Sequence, residues 1–192
     1  MSLSNPKFVQ SVLHSVTNFG FGTLGTMTDG LKTSRKLAEA ASGGKPEAPM
    51  EMALAEARAA AARGEVPVGA VLVNASGDIV ARAGNRTREL NDPSAHAEMI
   101  VIREACKGLE SERLIGHDLY VTLEPCAMCA AAISFARIRR LYFGAADEKG
   151  GAVENGARFF TLPTCHHAPE VYSGIAEREA AMILKEFFRE RR

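Results

Sequence analysis

Two short segments carry residues able to hold a metal ion. One is His96-Ala97-Glu98; the other is Pro125-Cys126-Ala127-Met128-Cys129. Cysteines three apart on a helix project from one side, about a turn apart, so both can reach a single ion. A lone C-x-x-C could equally be a redox pair, but a thioredoxin-like pair would want no histidine partner, and here His96 lies upstream. One His and two Cys make three protein ligands. Structural zinc sites close with four, whereas catalytic sites leave the fourth place for water. An acid beside that open place, Glu98, can move protons to and from the water without being a ligand. Taken singly, a histidine at a helix start is more often a cap or a core residue. In this order, on two helix starts with a strand between them, chance is a poor account.

The elements that must position these groups follow from apolar spacing and breakers. Glu51 to Arg63 is Ala-rich and unbroken, and predicts a helix ending near Gly64. Val66 to Val73 reads as a buried strand, Ala75-Ser76-Gly77-Asp78 as a hairpin turn, and Ile79 to Ala83 as the returning strand. A helix opening at Asp92-Pro93 and running to about Gly108 carries His96 and Glu98. Leu119 to Leu123 predicts a third strand leading to the cysteines. Cys126 to Ala136, small and apolar all round, predicts a buried helix. Arg140 to Gly144 reads as a fourth strand, Arg158 to Leu162 as a short fifth, and Ile175 to Arg192 as an amphipathic last helix. That order implies a three-layer α/β/α fold around a mixed five-stranded sheet. Helix N-termini at both ligand segments would favour the thiolate forms of Cys126 and Cys129.

Composition bounds the setting. With 46% hydrophobic and 24% charged residues in 192, the chain can bury one sizeable core. No apolar run approaches the roughly 18 residues of a membrane span, so a non-membrane protein is expected. The net charge of +0 does not advertise a nucleic-acid binder. Residues 1–49 hold five basic and three acidic groups; residues 50–192 hold 18 and 20, so any RNA contact must come from a local patch. Four cysteines without a secretory signal point to a reducing cytoplasm. Residues 1–49 end in the linker-like Ser42-Gly43-Gly44-Lys45-Pro46. They read as a poorly ordered extension, faintly transit-peptide-like, before a domain at 50–192 that begins near Met50 or Met52.

The pattern H-x-E…P-C-x-x-C is the signature of zinc deaminases. Its surroundings resemble one branch closely. Val66-Pro67-Val68-Gly69-Ala70-Val71, Gly84-Asn85-Arg86, Asp92-Pro93-Ser94-Ala95-His96-Ala97-Glu98, Leu119 to Cys129, Ser134 to Ile138 and Phe143 to Asp147 are similar to the bacterial tRNA adenosine deaminases of the cytidine-deaminase superfamily. The resemblance covers about residues 50–192. It implies one Zn2+ per chain on His96, Cys126 and Cys129, proton transfer by Glu98, a tRNA anticodon loop as substrate, and a homodimer. Ile133, Phe135 and Ile138 of the Cys126 helix would offer the apolar surface for the dimer.

The same resemblance implies that Asn85 bonds the flipped nucleoside and that Asp147 to Gly151 lies beside its ribose. Phe159, Phe160, His166 and His167 would stand near the entrance, and Arg189, Arg191 and Arg192 would meet phosphate. Each has a plainer alternative. Asn85 reads also as a turn residue, Phe159 and Phe160 as core, and the arginines as a solvated helix end. Cys165-His166-His167 reads as a solvated loop before a second metal site. The rival function is deamination of a free base such as guanine or cytosine. A non-catalytic zinc module is the rival from another class, and Glu98 argues against it, since a structural site has no use for a proton carrier.

Overall fold

The structure, a computed structural model, describes residues 49–191. The expected extension at 1–49 and Arg192 lie outside these residues, apart from Pro49. Four α-helices and five strands follow in the order α1 (Pro49–Ala62), β1 (Gly69–Val73), β2 (Ile79–Gly84), α2 (Ala97–Gly108), β3 (Asp118–Leu123), α3 (Ala127–Phe135), β4 (Arg140–Ala145), β5 (Glu170–Tyr172) and α4 (Glu177–Arg189).

The strands form one sheet ordered β2-β1-β3-β4-β5. β1 runs antiparallel to β2 and to β3, while β3, β4 and β5 are mutually parallel. Alternation along β1 splits the core in two. Ala70 and Leu72 join Val101, Ile133 and Phe143 on the face covered by α2 and α3. Val71 and Val73 join Met50, Leu54, Ala180 and Ile183 on the face covered by α1 and α4. The expected three layers and mixed five-stranded sheet are therefore present.

α1 stops where Gly64 takes φ +82, a left-handed cap that a side chain would disfavour. The helix then lies directly on the sheet at Gly69, where a Cβ would sit 2.0 Å from the Ala53 carbonyl oxygen. β1 starts later than Val66 because Pro67 has no N–H and the Val68 N–H turns back to the Val66 carbonyl at 2.8 Å.

Four expectations need correction. Arg158 to Leu162 is not a strand. Arg158 is left-handed at φ 46, and Phe159–Thr161 closes a 3-10 turn. The fifth strand is Glu170–Tyr172, paired with β4. α2 begins at Ala97, not at Asp92, because the Asp92 carboxylate accepts the Ser94 N–H and hydroxyl at 2.8 and 2.6 Å and fixes a turn first. α3 is buried on one side only, with Phe135 65% exposed. Ile133 and Ile138 are fully buried in this chain's own core and cannot line a subunit contact.

Candidate active site

β3 ends at Leu123, and the next three residues deliver Cys126 as the N-cap of α3. His96 is the N-cap of α2. Both caps are extended and neither side chain caps its own helix, because both are turned toward each other. The His96 Nδ1 lies 3.8 Å from the Cys126 sulfur and 3.6 Å from that of Cys129, and the sulfurs are 3.7 Å apart. A tetrahedral zinc with Zn–S about 2.3 Å and Zn–N about 2.0–2.1 Å requires ligand edges of about 3.8 Å for S–S and about 3.6 Å for S–N. The donor set therefore fits zinc in type and in spacing. It is the one His/Cys/Asp/Glu group of this kind found among the described residues. The Cys165-His166-His167 run forms none.

The electrostatics suit the same use. The hydrogen bond between the two sulfurs and the nearby His96 hold Cys126 down to about 4, while Cys129 is pushed up by that same bond and by burial. His96 is raised chiefly by its hydrogen bond to Cys126. Glu98, in the first turn of α2, is 3% exposed, and its Oε2 is buried without a hydrogen-bond partner. Burial raises its pKa. A buried carboxylate with an unsatisfied oxygen beside three possible metal donors has an oxygen left over for a bound molecule.

Asn85 is buried. Its Oδ1 accepts the Ala97 N–H at 2.8 Å, supplying the helix cap that His96 does not give. No protein acceptor among the described residues takes its Nδ2. Two further buried carboxylates, not singled out from sequence, gather loops that adjoin the donor residues. Glu65, 1% exposed, accepts the Arg88 and Glu89 N–H groups at 2.9 and 2.8 Å and the Thr87 hydroxyl at 3.1 Å. It fixes the loop that leads to His96. Glu124, 2% exposed, accepts donors from Asp147, Val153, Glu154 and Asn155. Burial alone would raise both, but their hydrogen bonds more than offset it and both sit below the usual carboxylate value. An acid in a sequence reads as a surface group until topology buries it, so only the fold exposes these two.

The outer residues divide. Asp147 lines a cavity of about 650 Å³ with Val66, Leu123, Lys149, Phe188 and Arg189, between the strand ends and α4. Phe159 is half-buried, edge-on to Phe160 at 6.0 Å, and Phe160 packs on the core. Arg191 folds back, its guanidinium 3.6 Å from the Phe187 ring centroid. His167 is committed to the Ile138 carbonyl at 2.6 Å, and His166 lies exposed, 6.3 Å from Phe135.

Residues 44–145 match the family described as the cytidine and deoxycytidylate deaminase zinc-binding region. A tRNA-specific adenosine deaminase of Agrobacterium fabrum is 71% identical over 143 residues, covering 74% of this chain and 93% of that one. A solved structure from a study of A-to-I editing by tRNA:A34 deaminases is 71% identical, with TM-score 0.70, over 71% of this chain and 98% of that one. A guanine deaminase of Nitrosomonas europaea, 24% identical with TM-score 0.63 over 75% of this chain and 85% of that one, shares the fold. No helix among the described residues is long and apolar enough to cross a membrane. With a donor triangle of zinc dimensions, a buried carboxylate beside it and these relatives, the chain belongs to the cytidine and deoxycytidylate deaminase family, a zinc-binding family, among its tRNA-specific adenosine deaminases.

Proposed function

We propose that this chain hydrolyses the wobble adenosine of a tRNA anticodon loop to inosine and ammonia. The 71% identity with the Agrobacterium tRNA-specific adenosine deaminase carries the choice of substrate. His96, Cys126 and Cys129 hold one zinc ion, which when bound supplies a water acidic enough to lose a proton near neutral pH. Glu98 takes that proton and delivers it to the ring nitrogen beside the amine-bearing carbon. It then carries the second proton of the same water to the leaving amine, so that water and adenosine become inosine and ammonia. Its unpartnered, buried Oε2 supports this role. Asn85 offers its free Nδ2 to the nucleoside while its Oδ1 stays on the Ala97 N–H. The family resemblance assigns Asp147 and Phe159 to the substrate and Arg189 to phosphate; that Arg189 shares a cavity with Asp147 supports grouping these two. Arg191, stacked on Phe187, contributes less.

The deaminase domain spans 50–192, and residues 1–49 are dispensable for turnover. The enzyme works in the cytoplasm, which suits four unpaired cysteines. It pairs as a homodimer through the outward stripe of α3 on which Phe135 stands exposed. The substrate test is incubation with a tRNA bearing adenosine at the wobble position, and separately with free guanine and cytosine. Inosine in the tRNA, with the free bases spared, is expected. The reverse would assign a free-base deaminase on the same zinc chemistry.

A further inference from the structure

The mechanism uses Glu98 and leaves Glu124 without a task, although Glu124 is a side chain that a folded protein strains to bury. Its position is specific. It sits two residues before the metal-side Cys126 and is 2% exposed. Oε1 accepts the N–H groups of Val153, Glu154 and Asn155 at 3.1, 2.8 and 2.9 Å. Oε2 accepts the Asp147 N–H at 3.0 Å and the Asn155 Nδ2 at 2.7 Å. Both ends of the segment 147–155 are therefore gathered on one carboxylate. A carboxylate alone among side chains offers several acceptor sites and no donor. The middle of the segment is stitched to the same strand end: Gly151 bridges Cys126, and the Ala152 N–H donates to the Pro125 carbonyl at 2.9 Å. Room for the carboxylate comes from Gly151, where a Cβ would stand 2.5 Å from the Glu124 Cδ.

We propose that Glu124 is a positioning residue. It locks the loop carrying Asp147 to the strand end that carries Cys126, so that the substrate wall and the metal ligands move as one body. This rests on the reading of the 147–155 side as the substrate wall. Glu124 does not touch the reacting atoms. Its loss moves the wall while the His96–Cys126–Cys129 triangle remains, and the effect falls on substrate capture.

The test uses zinc-loaded holoenzyme and tRNA with adenosine at the wobble position. Glu124→Gln puts an amide donor against the Asp147 N–H or the Asn155 amide. Asn155→Ala removes one arm at a half-buried loop residue and leaves the fold less disturbed. Both variants should keep one zinc per chain, and KM should rise about tenfold in Glu124→Gln and by less in Asn155→Ala, with kcat within about threefold of wild type. The double variant Glu124→Gln/Asn155→Asp lets the new amide donate to a new carboxylate, and should recover much of the KM. Hydrogen exchange at the 153–155 amides should quicken in Glu124→Gln. A merely structural residue would lower the active fraction, and so kcat, without moving KM. KM unchanged in both single variants, or unchanged exchange at 153–155, would overturn the proposal. Wild-type enzyme that ignores tRNA would remove the substrate reading alone, and the exchange result would still decide the role of Glu124.

Discussion

Under the proposed function Asn85 takes two duties on one side chain, a helix cap and a substrate contact, and they can be separated. Its Oδ1 caps the buried Ala97 N–H at 2.8 Å, at the helix end whose N-cap is His96. Asn85→Ala removes the cap, worth about 1 kcal/mol, and leaves a buried donor unpaired, for a combined cost of about 1–3 kcal/mol. In a domain of this size each kcal/mol lowers Tm by roughly 2–4 °C. The first turn of α2 should also loosen around His96, weakening zinc by about 10–100-fold, as loss of a group that orients a ligand does. Asn85→Asp keeps an acceptor at the helix N-terminus, where negative charge is favoured, but loses the Nδ2 donor. It should hold Tm and zinc near wild type while KM for tRNA rises. The assays are calorimetry of the holoenzyme, zinc competition against a chelator, and steady-state kinetics. An Asn85→Ala protein as stable as wild type would refute the capping argument. An Asn85→Asp protein as unstable as Asn85→Ala would refute the division of duties.

Glu98→Gln should keep zinc and fold but lose about 10²–10⁴ in turnover, checked by single-turnover kinetics beside metal analysis; near-normal turnover would place the proton carrier elsewhere. Glu65 sits below its ordinary value, so its stabilisation is full above about pH 4.3 and is lost as pH falls through the lower folded-state value. Glu65→Gln should therefore unfold at lower temperature than wild type at pH 7, and the gap should narrow below about pH 4. Arg189→Ala should reduce the slope of log affinity for tRNA against log salt by about 0.7–0.9, the share of one phosphate contact. Arg191→Ala should change that slope less, because its guanidinium is held over Phe187.

The grouping of His96, Cys126 and Cys129, with Glu98 buried close by, was legible in the sequence because metal chemistry restricts both the residue types and their spacing. The layers followed from periodicity, since β1 and the helices bury whole faces. What failed was local. Asp92-Pro93-Ser94 carries helix-start residues, yet its side-chain bonds spend them on a turn. β5 has three residues and a single half-buried apolar one, Val171, too little for any pattern to register. The Phe159-Phe160 pair imitated a strand where a left-handed Arg158 forces a turn. Glu65 and Glu124 could not be told from surface acids, because what distinguishes them is the set of distant N–H groups that the fold brings to them.

The measurement that bears most directly on the central claim is the base composition at the wobble position of a tRNA after incubation with the zinc-loaded protein. Chelator-treated protein and free guanine and cytosine serve as parallel arms. Conversion of that adenosine to inosine, abolished by chelation and by Glu98→Gln, is the predicted result. A tRNA left as adenosine while a free base is consumed, or conversion that survives complete removal of zinc, would contradict it.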